Sequence, residues 1–293
     1  MAKFTWQRII YLLIAVLTFA IAGAQHEPQT LKDIPFAHVD NKDLLLDLYM
    51  PAGVEKPPLV VWIHGGAWSR GSKDSARMEF VDSGFALASI GYRLSGEARF
   101  PAQIHDIKAS IRFLRAMAPK FGYRKEQIAI SGSSAGGHLA ALVGTTNDHA
   151  ELEGRVGGYF DQSSSIQAIV DYYGPTNLNS ILAQSTPHGL SVRVPALELL
   201  LGGKPPETVS KLAELASPVA HVDANDPPLL MLHGDQDPQV PINQSHELQG
   251  AYEKAGLTVH FKVVHGGAHG GKAFVDTKNM ERVRAFLTHT IGK

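Results

Sequence analysis

A chain of 293 residues with a formal net charge of −1 and 19% charged residues has neither the basic face that nucleic acid or anionic lipid demands nor the polar excess of a disordered chain. Its 44% hydrophobic content suffices for a large core. With no cysteine anywhere, disulfides, thiol nucleophiles, Cys-based zinc sites and cysteine-linked lipid anchors are all excluded.

The N-terminal "MAKFTWQRIIYLLIAVLTFAIAGAQ" opens with Lys3 and Arg8, runs apolar from Ile9 to Ala22 and ends in Ala22-Gly23-Ala24. A basic start, a short apolar stretch and an A-x-A site predict a signal peptide over 1–24, with the mature chain beginning near Gln25. The apolar run falls short of the roughly 20 residues that cross a bilayer. The expected location is therefore secreted or periplasmic, without stable membrane insertion after cleavage; an uncleaved anchor is the alternative.

Residues 25–293 read as one domain. "IPFAHVD" and "LLLDLYM" predict a hairpin around Asn41-Lys42-Asp43. "PPLVVWIHGG", "GFALASIGYRL" and "EQIAISGSS" are nearly continuous apolar runs, the mark of strands buried on both faces and hence parallel. Between the last two, Ile104, Ile107, Ile111, Phe113, Leu114 and Met117 recur at helical spacing, with Pro101 at the start and Pro119 to Gly122 closing. "AGGHLAALVG" is a second helix. "IQAIVDYYG", "PPLLMLHGD" and "LTVHFKVVHGG" are further strands, interleaved with the helices "PINQSHELQGAYEKAG" and "DTKNMERVRAFLTHTI". This alternation predicts an α/β fold with a mostly parallel sheet, an antiparallel N-terminal hairpin and helices on both faces. Residues 175–226, rich in proline and glycine with only short helical patterns, interrupt the rhythm and read as a cap-like insertion over the carboxyl edge of the sheet.

Gly132-Ser133-Ser134-Ala135-Gly136 fits G-x-S-x-G, after a predicted strand and opening a predicted helix. Only its middle residue occupies the apex of such a turn, so Ser134 is the candidate nucleophile. A serine hydroxyl needs a base, an orienting acid and a sink for negative charge. Two later strands end in polar turns, one with Asp235 and Asp237, the other with His265 and His269. Asp237, deeper in its loop and followed by Pro238, is preferred as the acid. His269, flanked by glycines that let the ring reach across, is preferred as the base. "WIHGGAW" ends another strand in an HGGG-type loop. Backbone amides of Gly66, Ala67 and Ala135 are therefore the expected oxyanion donors. Trp68 either lines the acyl pocket or belongs to the core. No H-E-x-x-H occurs, and the chemistry calls for no metal or organic cofactor.

From about residue 40 to 290 the chain resembles α/β-hydrolases of the BD-FAE type, the acetyl xylan/feruloyl esterase-like group near hormone-sensitive-lipase-like esterases and kynurenine formamidases. "WIHGGAW", "GYRL", the segment from Phe100 to Gly144, "SPVAHV" and "HGDQDPQVP" carry the resemblance; "GGAHGG" departs from the group's GxGHG-like turn. The resemblance implies Ser134, Asp237 and His269 as the triad. It also implies a small ester or acylated carbohydrate, such as acetyl xylan or a feruloyl ester, as substrate. Formamidase-like and exopeptidase-like hydrolysis are the rival reactions, and a non-catalytic binding protein of the same fold is the rival class.

Overall fold

The computed structural model describes residues 27–147 and 149–292, so the signal peptide expected over 1–24 lies outside the described residues. Eight strands form one sheet: β1 (Gln29–Val39), β2 (Lys42–Met50), β3 (Leu59–Ile63), β4 (Ala86–Ile90), β5 (Ile128–Ser133), β6 (Ala168–Tyr172), β7 (Leu229–Gly234) and β8 (Val259–Val264). Their order across the sheet is β1-β2-β4-β3-β5-β6-β7-β8. Strands β3 to β8 run parallel, and the β1–β2 hairpin joins β4 antiparallel. The predicted α/β-hydrolase architecture is the observed one.

The helices are α1 (Glu79–Asp82), α2 (Ala102–Phe121), α3 (Ala135–Gly144), α4 (Ala150–Glu153), α5 (Ile181–Gln184), α6 (Pro187–Leu200), α7 (Ser210–Leu215), α8 (Asn243–Lys254) and α9 (Thr277–Ile291). Side chains alternate across each strand, and this divides the interior into two cores. Val61, Ile130 and Met231 pack with Ile111 of α2, Leu139 of α3 and Leu248 of α8 on one face. Val60, Val170 and Leu230 pack with Phe80 of α1 and Val283 and Leu287 of α9 on the other. Strands buried on both faces leave their carboxyl ends as the open edge where loops can carry chemistry.

Two details differ from the sequence reading. The hairpin turn is Asp40-Asn41, both at positive φ (52° and 61°), with Val39 paired to Lys42. A two-residue loop of this kind needs left-handed backbone at both positions, which Asp and Asn tolerate. Within 175–226, where only short helical patterns were expected, α6 runs 14 residues despite Pro195. Pro187 sits in its first turn, where an amide has no partner to lose, and Thr186 caps it by accepting from the Gly189 amide. Pro195 therefore removes one interior bond from an otherwise well-anchored helix. At its start Thr186 Oγ1 donates to the Pro238 carbonyl (3.3 Å), and at its end the Leu200 carbonyl accepts from the Phe100 amide (2.9 Å).

Candidate active site

Ser134 lies between the last residue of β5 and the first of α3, at φ 54° and ψ −120°. A non-glycine residue pays for that conformation, so it persists only where surrounding contacts hold it. Here the Ser134 amide donates to the Tyr172 carbonyl (2.9 Å), and its own carbonyl accepts from the His138 amide (2.9 Å). The elbow also needs small neighbours. A Cβ on Gly136 would strike the Ile63 carbonyl, and one on Gly65 would lie 2.7 Å from the Ser133 carbonyl and 3.4 Å from Ser134 Cβ. The glycines thus let the loop after β3 run against the serine.

His269, in the turn after β8, reaches the elbow. Its Nε2 lies 2.8 Å from Ser134 Oγ and its Nδ1 2.6 Å from Asp237 Oδ2. An acceptor-only carboxylate fixes the ring with the proton on Nδ1, so Nε2 accepts from the serine hydroxyl. The Asp237 side chain is fully buried. Burial pushes its carboxyl up, but hydrogen bonds from His233 and His269, and from the Val240 amide, outweigh this and hold it well below the usual carboxylate range. Its other oxygen, Oδ1, accepts the amides of Gln239 (2.8 Å) and Val240 (2.9 Å).

The alternative pair lies apart from this cluster. His265 Nδ1 and Asp235 Oδ2 are 2.9 Å apart, and the His265 side chain is 79% exposed. Asp235 Oδ1 accepts the Gly266 amide, so this pair ties the β7 and β8 loops together at the surface. The preferred residues are the ones brought to Ser134.

Around the serine, Gly66, Ala67 and Trp68 follow one another at positive φ (116°, 53° and 58°). Ala135 opens α3, where the amides of the first turn have no carbonyl within the helix and favour negative charge. Trp68 is fully buried and belongs to the core. Its Nε1 donates to His138 Nδ1 (3.0 Å), while His138 Nε2 donates to the Ala216 carbonyl (2.6 Å). Burial holds His138 down to about pKa 4, so the ring is neutral and this relay locks the loop to α3. From below, Tyr92 donates to the His64 carbonyl (3.0 Å) with the two rings stacked. Asp106, near the start of α2, accepts Arg93 through Nη2 (2.7 Å) and Nε (2.9 Å).

Sequence reasoning missed two supports of the imidazole. His233 stands 3.4 Å from Asp237 Oδ2, its Nε2 donating to the Val240 carbonyl (3.0 Å) and its Nδ1 accepting from Ser245 (2.7 Å). Tyr173, at φ 47°, meets the His269 ring edge-on with centroids 4.8 Å apart. Both follow apolar strand residues in "LMLHGD" and "IVDYYG", and a polar ring at a buried strand end was the available signal. Among the described residues no group of three or more His, Cys, Asp or Glu is arranged to hold a metal.

A family model described as BD-FAE matches residues 46–252. The chain is similar to Esterase LipC of Mycobacterium tuberculosis, 32% identical over 70% of this chain and 51% of that protein. It is also similar to Esterase LipQ of the same organism, 30% identical over 76% and 53%. The chain spans about half the length of these curated relatives. Among solved structures, a "Truncated form of carbohydrate esterase from gut microbiota" aligns with TM-score 0.82 at 31% identity, covering 93% of this chain and 99% of that one. "Thermogutta terrifontis esterase 2 phosphorylated by paraoxon" aligns with TM-score 0.70 at 26% identity, covering 88% and 93%.

Proposed function

The chain belongs to the BD-FAE family of α/β-hydrolases, and from that membership we propose that it is a serine carboxylesterase that cleaves short-acyl esters of carbohydrates outside the cytoplasm. The observation that carries the reading is the unbroken chain from Ser134 Oγ through His269 to the buried Asp237, at 2.8 and 2.6 Å. In this reading His269 Nε2 takes the Ser134 proton as the oxygen attacks the ester carbonyl. The amides of Gly66, Ala67 and Ala135 receive the oxyanion. The imidazolium then protonates the departing alkoxide, and water repeats the attack on the acyl-enzyme to release the acid.

Similarity to a carbohydrate esterase over nearly the whole length of both chains supports a sugar ester. So does similarity to the structure described as "Bifunctional GH43-CE Bacteroides eggerthii", at TM-score 0.77 and 34% identity over 89% of this chain and 38% of that one. The signal-peptide pattern of residues 1–24 supports secretion or a periplasmic location, where polymeric carbohydrate is met. Purified enzyme and its Ser134→Ala variant, assayed on p-nitrophenyl acetate, test the chemistry, and equal turnover by both would refute it. Acetylated xylan, a feruloyl ester and N-formylkynurenine, run side by side, test the substrate class. Paraoxon should phosphorylate Ser134, and mass spectrometry of the tryptic peptide reads the site.

A further inference from the structure

Arg193 lies on α6, the longest helix of the 175–226 segment, and is 1% exposed. Its Nε and Nη1 are buried without a hydrogen-bond partner. A buried guanidinium whose N–H groups lack hydrogen-bond partners is among the costlier groups a protein can carry. Its place is informative. Gly189, one helical turn earlier on the same face, is so close to the loop after Asp237 that a Cβ there would lie 3.2 Å from the Pro238 carbonyl and 3.5 Å from that of Gln239. Arg193 therefore hangs from the inner side of a helix fastened at one end to the acid's own loop and at the other to Phe100. The charges it senses are the Asp237 carboxylate and the Arg70 guanidinium. Arg70 is exposed, and a Cβ on Gly66 would run into it, so it flanks the oxyanion loop. Burial lowers Arg193 to about pKa 10, which leaves it a cation at neutral pH.

We propose that Arg193, with Arg70 at the rim, forms an anion subsite beside the triad that receives a carboxylate carried by the ester substrate. This rests on the esterase reading above and narrows it: the preferred esters bear an acid group close to the scissile bond, as an ester on a uronic acid or a half-ester of a dicarboxylic acid does. The Asp237 carboxylate is already committed to two imidazoles and two amides, so the guanidinium's free N–H groups remain for a ligand oxygen, which their forked geometry suits.

The test pairs each anionic ester with a neutral one of similar size: mono-4-nitrophenyl succinate with 4-nitrophenyl butyrate, charged on the acyl side, and 3-acetoxybenzoate with phenyl acetate, charged on the alcohol side. In Arg193→Gln, kcat/KM should fall about 10- to 100-fold for at least one anionic ester, the worth of one charged hydrogen bond. It should change less than about threefold for the neutral esters. Arg193→Lys should recover part of the loss. Equal losses on charged and neutral esters would make Arg193 a support for the roof or for Asp237 and overturn the proposal, as would no loss on either. A second readout does not need turnover: succinate should raise the melting temperature of the wild type and not that of Arg193→Gln. Arg193→Met, relieved of a buried charge, should melt above the wild type without succinate. If no ester, charged or neutral, is cleaved, the esterase reading fails, while the succinate melting shift still decides the anion subsite.

Discussion

His269 Nδ1 approaches Asp237 Oδ2 to 2.6 Å, and that carboxylate has no contact with solvent. Asp237→Asn keeps the shape but replaces an acceptor-only group with an amide that can turn its N–H₂ toward the ring, favouring the wrong tautomer. The variant should fold and lose turnover on the order of 10⁴-fold, the size of such an exchange in serine hydrolases. Its kcat on p-nitrophenyl acetate, with circular dichroism as the folding control, checks this. The native carboxyl, held below its unfolded value near 3.9, binds fewer protons than the unfolded chain in acid. Its contribution to stability is therefore complete well above about pH 4 and is lost progressively as pH falls from there toward the depressed value. Asp237→Asn should accordingly flatten the acid limb of the melting-temperature profile.

The two Asp–His pairs separate chemistry from scaffolding. His269→Gln should cost turnover on the scale of losing the nucleophile, roughly 10⁶-fold. Asp235→Asn and His265→Gln, on an exposed pair, should each change kcat less than about threefold and leave the melting temperature nearly unchanged. Steady-state rates of the four single variants, including Ser134→Ala, decide the assignment, and a large loss in His265→Gln would reverse it.

Trp68 couples the loop after β3 to α3. Trp68→Phe leaves His138 Nδ1 buried without its donor, which should cost about 1–3 kcal/mol in urea unfolding. Because the same loop carries Gly66 and Ala67, kcat should fall more than KM rises. A variant of normal stability and activity would mean that the loop holds its shape without the relay.

Asp171, the penultimate residue of β6, lies next to the elbow, fully buried, with Oδ1 accepting the Gly174 amide (2.9 Å) and Oδ2 unpartnered. Burial pushes it up to about 7. Between roughly pH 4 and 7 the folded protein keeps a proton that the unfolded chain releases, so this group erodes stability as pH rises through that window. Asp171→Asn, which mimics the protonated acid, should gain about 1–3 kcal/mol over wild type at pH 8 relative to pH 5. Paired denaturant titrations at the two pH values measure it.

Much of this was legible because the chemistry sits where local patterns end. Ser134, Asp237 and His269 each follow an apolar run that becomes β5, β7 or β8, and a strand end in a parallel sheet already implies a shared rim. Which of two aspartates and two histidines faces inward was a matter of loop depth, and the loops place the inner pair against Ser134. The residues whose roles escaped notice are those whose surroundings come from elsewhere in the chain. His233 and Tyr173 look like ordinary strand-end rings until β6 and β7 are laid side by side. Arg193 reads as a surface residue of a proline-containing segment, because its burial depends on α6 being pinned to Pro238 and Phe100, contacts far apart in sequence. The α6 helix itself was hidden by Pro195, whose cost tertiary anchoring outweighs.

The strand that leads to His269 forms one edge of the sheet: β8 bonds to β7 alone, and most of its side chains are only half-covered. The ring placed to take the proton in the proposed reaction thus follows an edge strand, whereas the hydroxyl it meets follows the central β5. Warming loosens such margins before it melts the interior. The enzyme should therefore fall silent several degrees before its circular dichroism changes, and recover on brief cooling, with the nucleophile never having moved.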